Sequence, residues 1–221
     1  MTAKHVSPAG RPIALDDRTA WDGTLPMIGF LSHVAQDREI YHEGAQAQLF
    51  YKVVTGVVRT CQFHVSGRRR IDAFHVAGEI FGLEAGVAHR LSAQAVCDST
   101  LISYRSRDLT RSAASSTLLS RHLFVHVMRC VARAQDHALL VTRGSAVEKV
   151  AAFLLEWAGH SPGEPTFTLA MTRVDIADYL GLTLETVSRM LARLKREAVI
   201  ELLTARHVRL VDPGKLRQLA S

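Results

Sequence analysis

Cysteine is scarce and scattered. Cys61, Cys97 and Cys130 are the only three in 221 residues, and no C-x-x-C pair occurs. That excludes a disulfide-stapled scaffold and suits reduced thiols in a cytosol. No uncharged apolar run approaches the ~18 residues that a membrane-spanning helix requires. The opening MTAKHVSPAGRPIALDD has no apolar core of signal-peptide type, so a cytoplasmic, membrane-free protein is expected. Enzymatic signatures are missing as well: there is no nucleophile elbow, P-loop, G-x-G-x-x-G or H-E-x-x-H, and an enzyme is not expected.

Concentrated charge is missing too. The net charge is +6 and the pI about 9.6, which suits an anionic partner. Yet residues 145–221 hold ten Lys/Arg against nine Asp/Glu, while residues 1–144 hold 17 against 12. An argument for nucleic acid must therefore rest on where single charges sit.

What the chain does have is Thr172–Leu194, TRVDIADYLGLTLETVSRMLARL. Ile176, Ala177 and Leu180 share one face of a first helix, and Val187, Met190, Leu191 and Leu194 share one face of a second. Gly181 between them can take the positive φ of a tight turn, and Thr183 can cap the second helix. Small Ala177 lets the two helices cross closely. This is the spacing of a helix-turn-helix, whose second helix enters the DNA major groove. Its outer face carries Glu185, Ser188 and Arg189 near the leading end. A carboxylate accepts from cytosine N4, and a guanidinium forks onto guanine O6 and N7, so these three are the candidate base readers. Thr172, Thr183, Thr186, Arg193, Lys195, Arg196 and Arg206 are the candidate phosphate contacts on double-stranded DNA. The competing reading is a Glu185–Arg189 ion pair on a solvated helix.

The segment DIADYLGLTLETVSRMLARLK resembles the DNA-reading segment of the Crp/Fnr superfamily. Its Glu-Thr-Val-Ser-Arg run is similar to the Fnr type, and Val53–Gly86 resembles the FixK branch. The likeness runs from about Ile40 to about Val211. It implies an α+β chain with an N-terminal cyclic-nucleotide-binding-type β jelly roll, a long dimerisation helix and a C-terminal winged helix-turn-helix. It also implies a dimeric transcription regulator that reads a TTGAT-like inverted repeat, recruits RNA polymerase and answers low oxygen or nitrogen supply. Oxygen-sensing Fnr proteins carry an N-terminal cysteine cluster for an iron–sulfur centre; with no cysteine before Cys61, that cofactor is not carried over.

The residues themselves support those expectations region by region. Residues 1–20 read as a loose tail and Leu25–Ala35 as a short helix. Residues 21–107 form the sensor-like domain: runs such as LFYKVV, VVRTCQFHV, RIDAFHV and TLISY alternate with glycines, as in a sandwich or small barrel. Ser66-Gly67 reads as a hairpin turn, with Arg68, Arg69 and Arg70 in a solvated loop after it. By resemblance, a ligand pocket would involve Gly82, Glu84, Arg90 and Ser92. However, Leu83 stands where the ribose-binding Glu would be, and Leu91 separates Arg90 from Ser92. Cyclic nucleotide is therefore not expected, and Arg90 is left either to hold another anion or to pair with an acid such as Glu84.

Residues 108–143 read as one helix. Phe124, Val131 and Ala138 repeat every seven residues, as do Val127, Ala134 and Val141 three later, which is a coiled-coil seam suited to a homodimer. A second stripe, Leu118, Val125, Ala132 and Leu139, is assigned to the chain's own jelly roll. His122 and His126 lie at i and i+4. Related Dnr-type regulators bind haem, so a haem- or small-molecule-dependent sensor is the alternative, although no metal site is expected. Residues 144–221 hold a helix capped by Ser145, with Val147, Val150, Ala151, Leu154, Leu155 and Ala158 as its core stripe. A strand near Phe167–Leu169, the reading helices and a wing hairpin from VIELL and HVRLV follow. The Glu197-Ala198-Val199 link lacks the glycine that usually ends such a helix.

Overall fold

The computed structural model describes residues 11–13, 28–65, 67–142 and 144–221. The chain divides into two compact units, one ending at Cys130 and one beginning at Val131.

The first unit is built from two antiparallel sheets. Strands β1 (Arg11–Ile13), β2 (Gly29–Val34), β4 (Leu49–Thr55), β7 (Ile80–Phe81) and β9 (Ser99–Arg105) form a sheet in the order β1-β2-β9-β4-β7. Strands β3 (Glu39–Tyr41), β5 (Val58–Phe63), β6 (Arg69–His75) and β8 (Ser92–Ala95) form the other, in the order β3-β8-β5-β6. Side chains alternate along β4 and β9, so each strand feeds two cores. Tyr51, Val53 and Leu101 join Val34, Ile40, Tyr41, Val58 and Phe81 in one core. Phe50, Ile102 and Tyr104 point the other way and join Leu109, Leu119 and, at the edge, Leu123. Each such side chain, fully buried, contributes about 1.5–3 kcal/mol. Between β4 and β5, Gly56 has φ +89°, and a Cβ there would meet the Asp98 carbonyl at 2.7 Å, so no side chain fits.

Several expectations change here. Gly29–Val34 is a strand paired with β9 through Phe30–Ser103 to Val34–Ser99, not a helix. Its partly buried pattern is too weakly alternating to announce itself in the sequence. The tail expected over residues 1–20 lies mostly outside the described residues, but Arg11–Ile13 pairs with β2. Of the hairpin turn, Ser66 lies outside the described residues and Gly67 takes φ +78°. Arg69 and Arg70 begin β6 opposite Phe63 and Gln62 rather than lying in a loop.

The single expected helix is two, α1 (Ser106–Ser115) and α2 (Thr117–Thr142). Ser116 is extended, at φ −132° and ψ 106°, and its hydroxyl accepts from the Leu119 N–H at 3.3 Å. A serine that satisfies the first turn's amides stops one helix and starts the next. The break also resets the helical phase. Leu119 and Leu123 now face the β core, whereas the stripe assigned to it stays outside: Leu118 is 48% exposed and Leu139 65%.

In the second unit, α3 (Ala146–Ala158) begins as expected, with the Ser145 hydroxyl accepting from the Glu148 N–H at 3.3 Å. Its buried face is Val150, Ala151, Phe153, Leu154 and Trp157, so Phe153 and Trp157 join the core while Val147, Leu155 and Ala158 of the expected stripe are only half-buried. Trp157 Nε1 donates to the Thr168 carbonyl at 2.9 Å. Helices α4 (Arg173–Leu180) and α5 (Leu184–Arg196) follow β10 (Thr166–Thr168), which joins β11 (Ile200–Leu202) and β12 (His207–Leu210) in the order β10-β12-β11. The missing glycine is replaced by Ala198, which itself takes φ +53°. A last helix, α6 (Pro213–Leu219), was not anticipated, although Asp212-Pro213 is a start signal: the Asp212 carboxylate accepts from the Lys215 N–H at 2.8 Å.

Candidate nucleic-acid interface

Two caps set the geometry of the α4–α5 pair. Thr172 and Asp175 form a reciprocal capping box: the Thr172 hydroxyl accepts from the Asp175 N–H at 3.2 Å, and the Asp175 carboxylate accepts from the Thr172 N–H at 2.9 Å. Gly181 ends α4 in the left-handed region, at φ 64° and ψ 36°, its N–H donating to the Ala177 carbonyl. Then the Thr183 hydroxyl accepts from the Thr186 N–H at 3.2 Å and starts α5. Ile176, Ala177 and Leu180 are buried against Val187, Leu191 and Leu194, while Met190 is half-buried. This is the arrangement the spacing implied.

The outer face of α5 carries the candidate base readers. Glu185 and Arg189 are exposed and Ser188 is half-buried. Among the described residues Glu185 and Arg189 do not pair. The Glu185 carboxyl is held below the usual glutamate range by its own backbone N–H and then by the Thr183 hydroxyl, so it is an ionised acceptor at the helix start. Arg189 Nη2 donates to the Thr186 hydroxyl at 3.4 Å. Both groups are exposed and unpaired with each other, and the Arg189 guanidinium keeps most of its donors unused, which is what reading base edges demands.

The candidate phosphate contacts divide into two kinds. Lys195 and Arg196 are exposed, with no carboxylate within 4 Å among the described residues. Arg206 is exposed on the turn between β11 and β12, one guanidinium nitrogen donating to the Ala170 carbonyl at 3.4 Å. Arg193, in contrast, is tied to Glu197, its Nε 2.7 Å from Oε1, and this pair holds the Glu197 carboxyl below its usual range. The Thr172 hydroxyl donates to the Asp175 carboxylate at 2.7 Å, and Thr183 and Thr186 share hydroxyls at 3.1 Å, so Thr172 and Thr183 are caps as well and Thr186 is held by one.

On α2, Phe124 is 66% exposed, Val127 50% and Val131 44%. Ala134 and Ala138 are exposed and Val141 is half-buried. Most of this run of apolar side chains is exposed in the single chain.

The candidate pocket residues are mutually engaged. Arg90 Nε lies 3.3 Å from Glu84 Oε2, and its backbone N–H donates to Glu84 Oε1 at 3.2 Å. The Ser92 hydroxyl accepts from the Glu43 N–H at 2.9 Å. Gly82, at φ +79°, has the rings of Tyr41 and Tyr51 3.3 Å from where a Cβ would stand. Tyr41 in turn stacks on His89, ring centroids 3.7 Å apart. Burial, reinforced by Tyr51, pushes the Tyr41 hydroxyl far above its ordinary range, and burial raises Tyr51 to about 12. Aromatic rings thus fill the interior of the sandwich beside these residues. His126 Nε2 and Cys130 Sγ lie 3.4 Å apart. Among the described residues no group of three or more His, Cys, Asp or Glu side chains is placed to hold a metal ion. No described helix is long and apolar enough to cross a membrane.

Residues 31–116 match the cyclic nucleotide-binding domain family and residues 148–219 the Crp-like helix-turn-helix domain family. The chain is 39% identical to the nitrogen fixation regulation protein FixK of Rhizobium meliloti (strain 1021) over 201 residues, 90% of this chain and 92% of that one. It is 38% identical to FixK of Azorhizobium caulinodans over 226 aligned residues, 100% of this chain and 91% of that one. The solved structure of FixK2 from Bradyrhizobium japonicum superimposes with a TM-score of 0.85 at 38% identity, covering 88% of this chain and 98% of that one. Capped reading helices, a three-stranded wing and a double-sheet β unit in one chain agree with these likenesses: the chain belongs to the FixK-like branch of the Crp/Fnr family of DNA-binding transcription regulators and is not an enzyme.

Proposed function

We propose that two copies of this chain, paired along α2, bind an inverted repeat with TTGAT-like half-sites and activate transcription by recruiting RNA polymerase. The FixK relatives, named for the regulation of nitrogen fixation, favour a role in nitrogen metabolism or the response to low oxygen. Double-stranded DNA as the partner implies a cytoplasmic protein. The observation that carries the reading is the outward face of α5, where Glu185 and Arg189 leave each other unpaired and remain available to bases. The exposed apolar seam of α2 supplies the second requirement. A dimer of helix-turn-helix units presents its reading helices about 34 Å apart, one turn of DNA.

In this mechanism Glu185, Ser188 and Arg189 read bases. Lys195, Arg196 and Arg206 set the register on phosphate, joined by Arg193, the capping residues Thr172 and Thr183, and Thr186. Gly82, Glu84, Arg90 and Ser92 act as structure: Arg90 pairs with Glu84 through Nε, and the rings of Tyr41 and Tyr51 pack against Gly82. A mobility-shift series on single-base variants of a TTGAT inverted repeat tests the reading. Selective binding with loss at defined positions supports it, and equal binding to unrelated duplexes refutes it.

A further inference from the structure

Arg173 holds the first position of α4, directly after Thr172, where the capping box fixes its backbone. Its side chain crosses to the reading helix: Nη1 donates to Ser188 Oγ at 3.3 Å. Among the described residues this is its only polar partner, and no carboxylate lies within ion-pair distance. A guanidinium has five donors and no acceptor, so the Ser188 oxygen must accept in this pair. A serine hydroxyl is otherwise a rotor that can offer a base either its hydrogen or its lone pairs. This bond leaves the hydroxyl its hydrogen and one lone pair, but the positive charge of the guanidinium beside the oxygen turns the hydrogen outward and opposes the approach of a second donor. A hydroxyl in that state seeks thymine O4, guanine O6 or N7, or adenine N7, and it rejects the N4 amino group of cytosine.

We propose that Arg173 is a positioning residue for base recognition: it fixes the Ser188 hydroxyl as a donor, so that α4 helps to set the sequence preference of α5. The inference rests on Ser188 being a base contact. Its size is that of one net hydrogen bond, about two- to tenfold in discrimination at a single base pair.

The test uses the full chain and fluorescence anisotropy on duplexes carrying every single-base change in a TTGAT-type inverted repeat, at several salt concentrations. Arg173→Ala, Arg173→Met, Ser188→Ala and the Arg173→Ala/Ser188→Ala double variant are compared. The expected result is that both Arg173 variants lose discrimination at one base pair only, with cytosine there no longer penalised. Ser188→Ala loses discrimination at the same pair, and the double variant behaves like Ser188→Ala alone. A uniform loss on every duplex, with the salt slope lowered by about one and additive with Ser188→Ala, makes Arg173 a phosphate contact and overturns the inference while leaving the parent reading intact. If Ser188→Ala itself changes no base preference, the parent assignment of Ser188 fails, and the inference fails with it.

Discussion

In the β unit Arg90 pairs with Glu84 through Nε, Ser92 accepts from the Glu43 amide, and Arg59 donates to both Asp37 and Gln94. On α5 of the second unit, Glu185 and Arg189 pass each other by, and Lys195 and Arg196 meet no carboxylate. The first arrangement pairs its charged groups within the unit, and the second leaves them without ion-pair partners among the described residues. Both are made of ordinary charged residues, and the whole second unit is nearly neutral. What separates the two regions is local pairing, not charge content.

The largest effect that sharpens this contrast comes from the support beneath the reading face. Leu194 is fully buried on the inner face of α5. Leu194→Ala should lose about 2–5 kcal/mol in urea unfolding, through lost burial and the cavity left behind. Phe124→Ala, on the exposed face of α2, should leave unfolding of the single chain nearly unchanged and weaken self-association instead. Comparable stability losses at the two sites would mean that Phe124 is buried within its own chain.

Next in size, Arg189→Ala should cost about 1–3 kcal/mol on the preferred operator and relax the choice at one base pair. Arg196→Ala should weaken every duplex alike and lower the salt slope by about one. Titrating single-base operator variants at several salt concentrations distinguishes the two, and equal loss on every variant for Arg189→Ala would remove its base-reading role. On the scaffold side, Arg90→Ala should leave operator choice untouched and cost at most about 1 kcal/mol, because its pair with Glu84 is open to water on the arginine side. Calorimetric titration with cAMP and cGMP should show no tight binding by the wild-type chain.

The smallest expected effect is a persistence. The Glu185 carboxyl lies below its ordinary value of 4.5, so its ionised form is fully present above that value and is lost only as pH falls through the lowered one. Discrimination at the base pair it reads should therefore be the same at pH 7 and pH 5. A loss already visible near pH 5 would show that its hydrogen bonds to its own backbone and to Thr183 do not hold in solution.

The DNA-reading half was largely legible from residue spacing. Gly181, Thr183 and the Val187–Leu191–Leu194 stripe act within a few residues of one another, and local spacing is what a sequence displays directly. Where pairing is remote, legibility fell. Strand β2 is made by its partner β9, some seventy residues away, and nothing within Gly29–Val34 states that. The break at Ser116 was hidden because serine is tolerated inside helices, and with it the phase of α2 slipped so that Leu119 replaced Leu118 at the β core. On the reading face the residue that spacing missed is Arg173, whose link to Ser188 spans two helices.

Sedimentation equilibrium at micromolar concentration, with a duplex carrying the full inverted repeat and with one carrying a single half-site, tests the central claim most directly. The account predicts two chains on the full repeat and far weaker binding to the half-site. One chain per duplex, bound equally well to both, would contradict it.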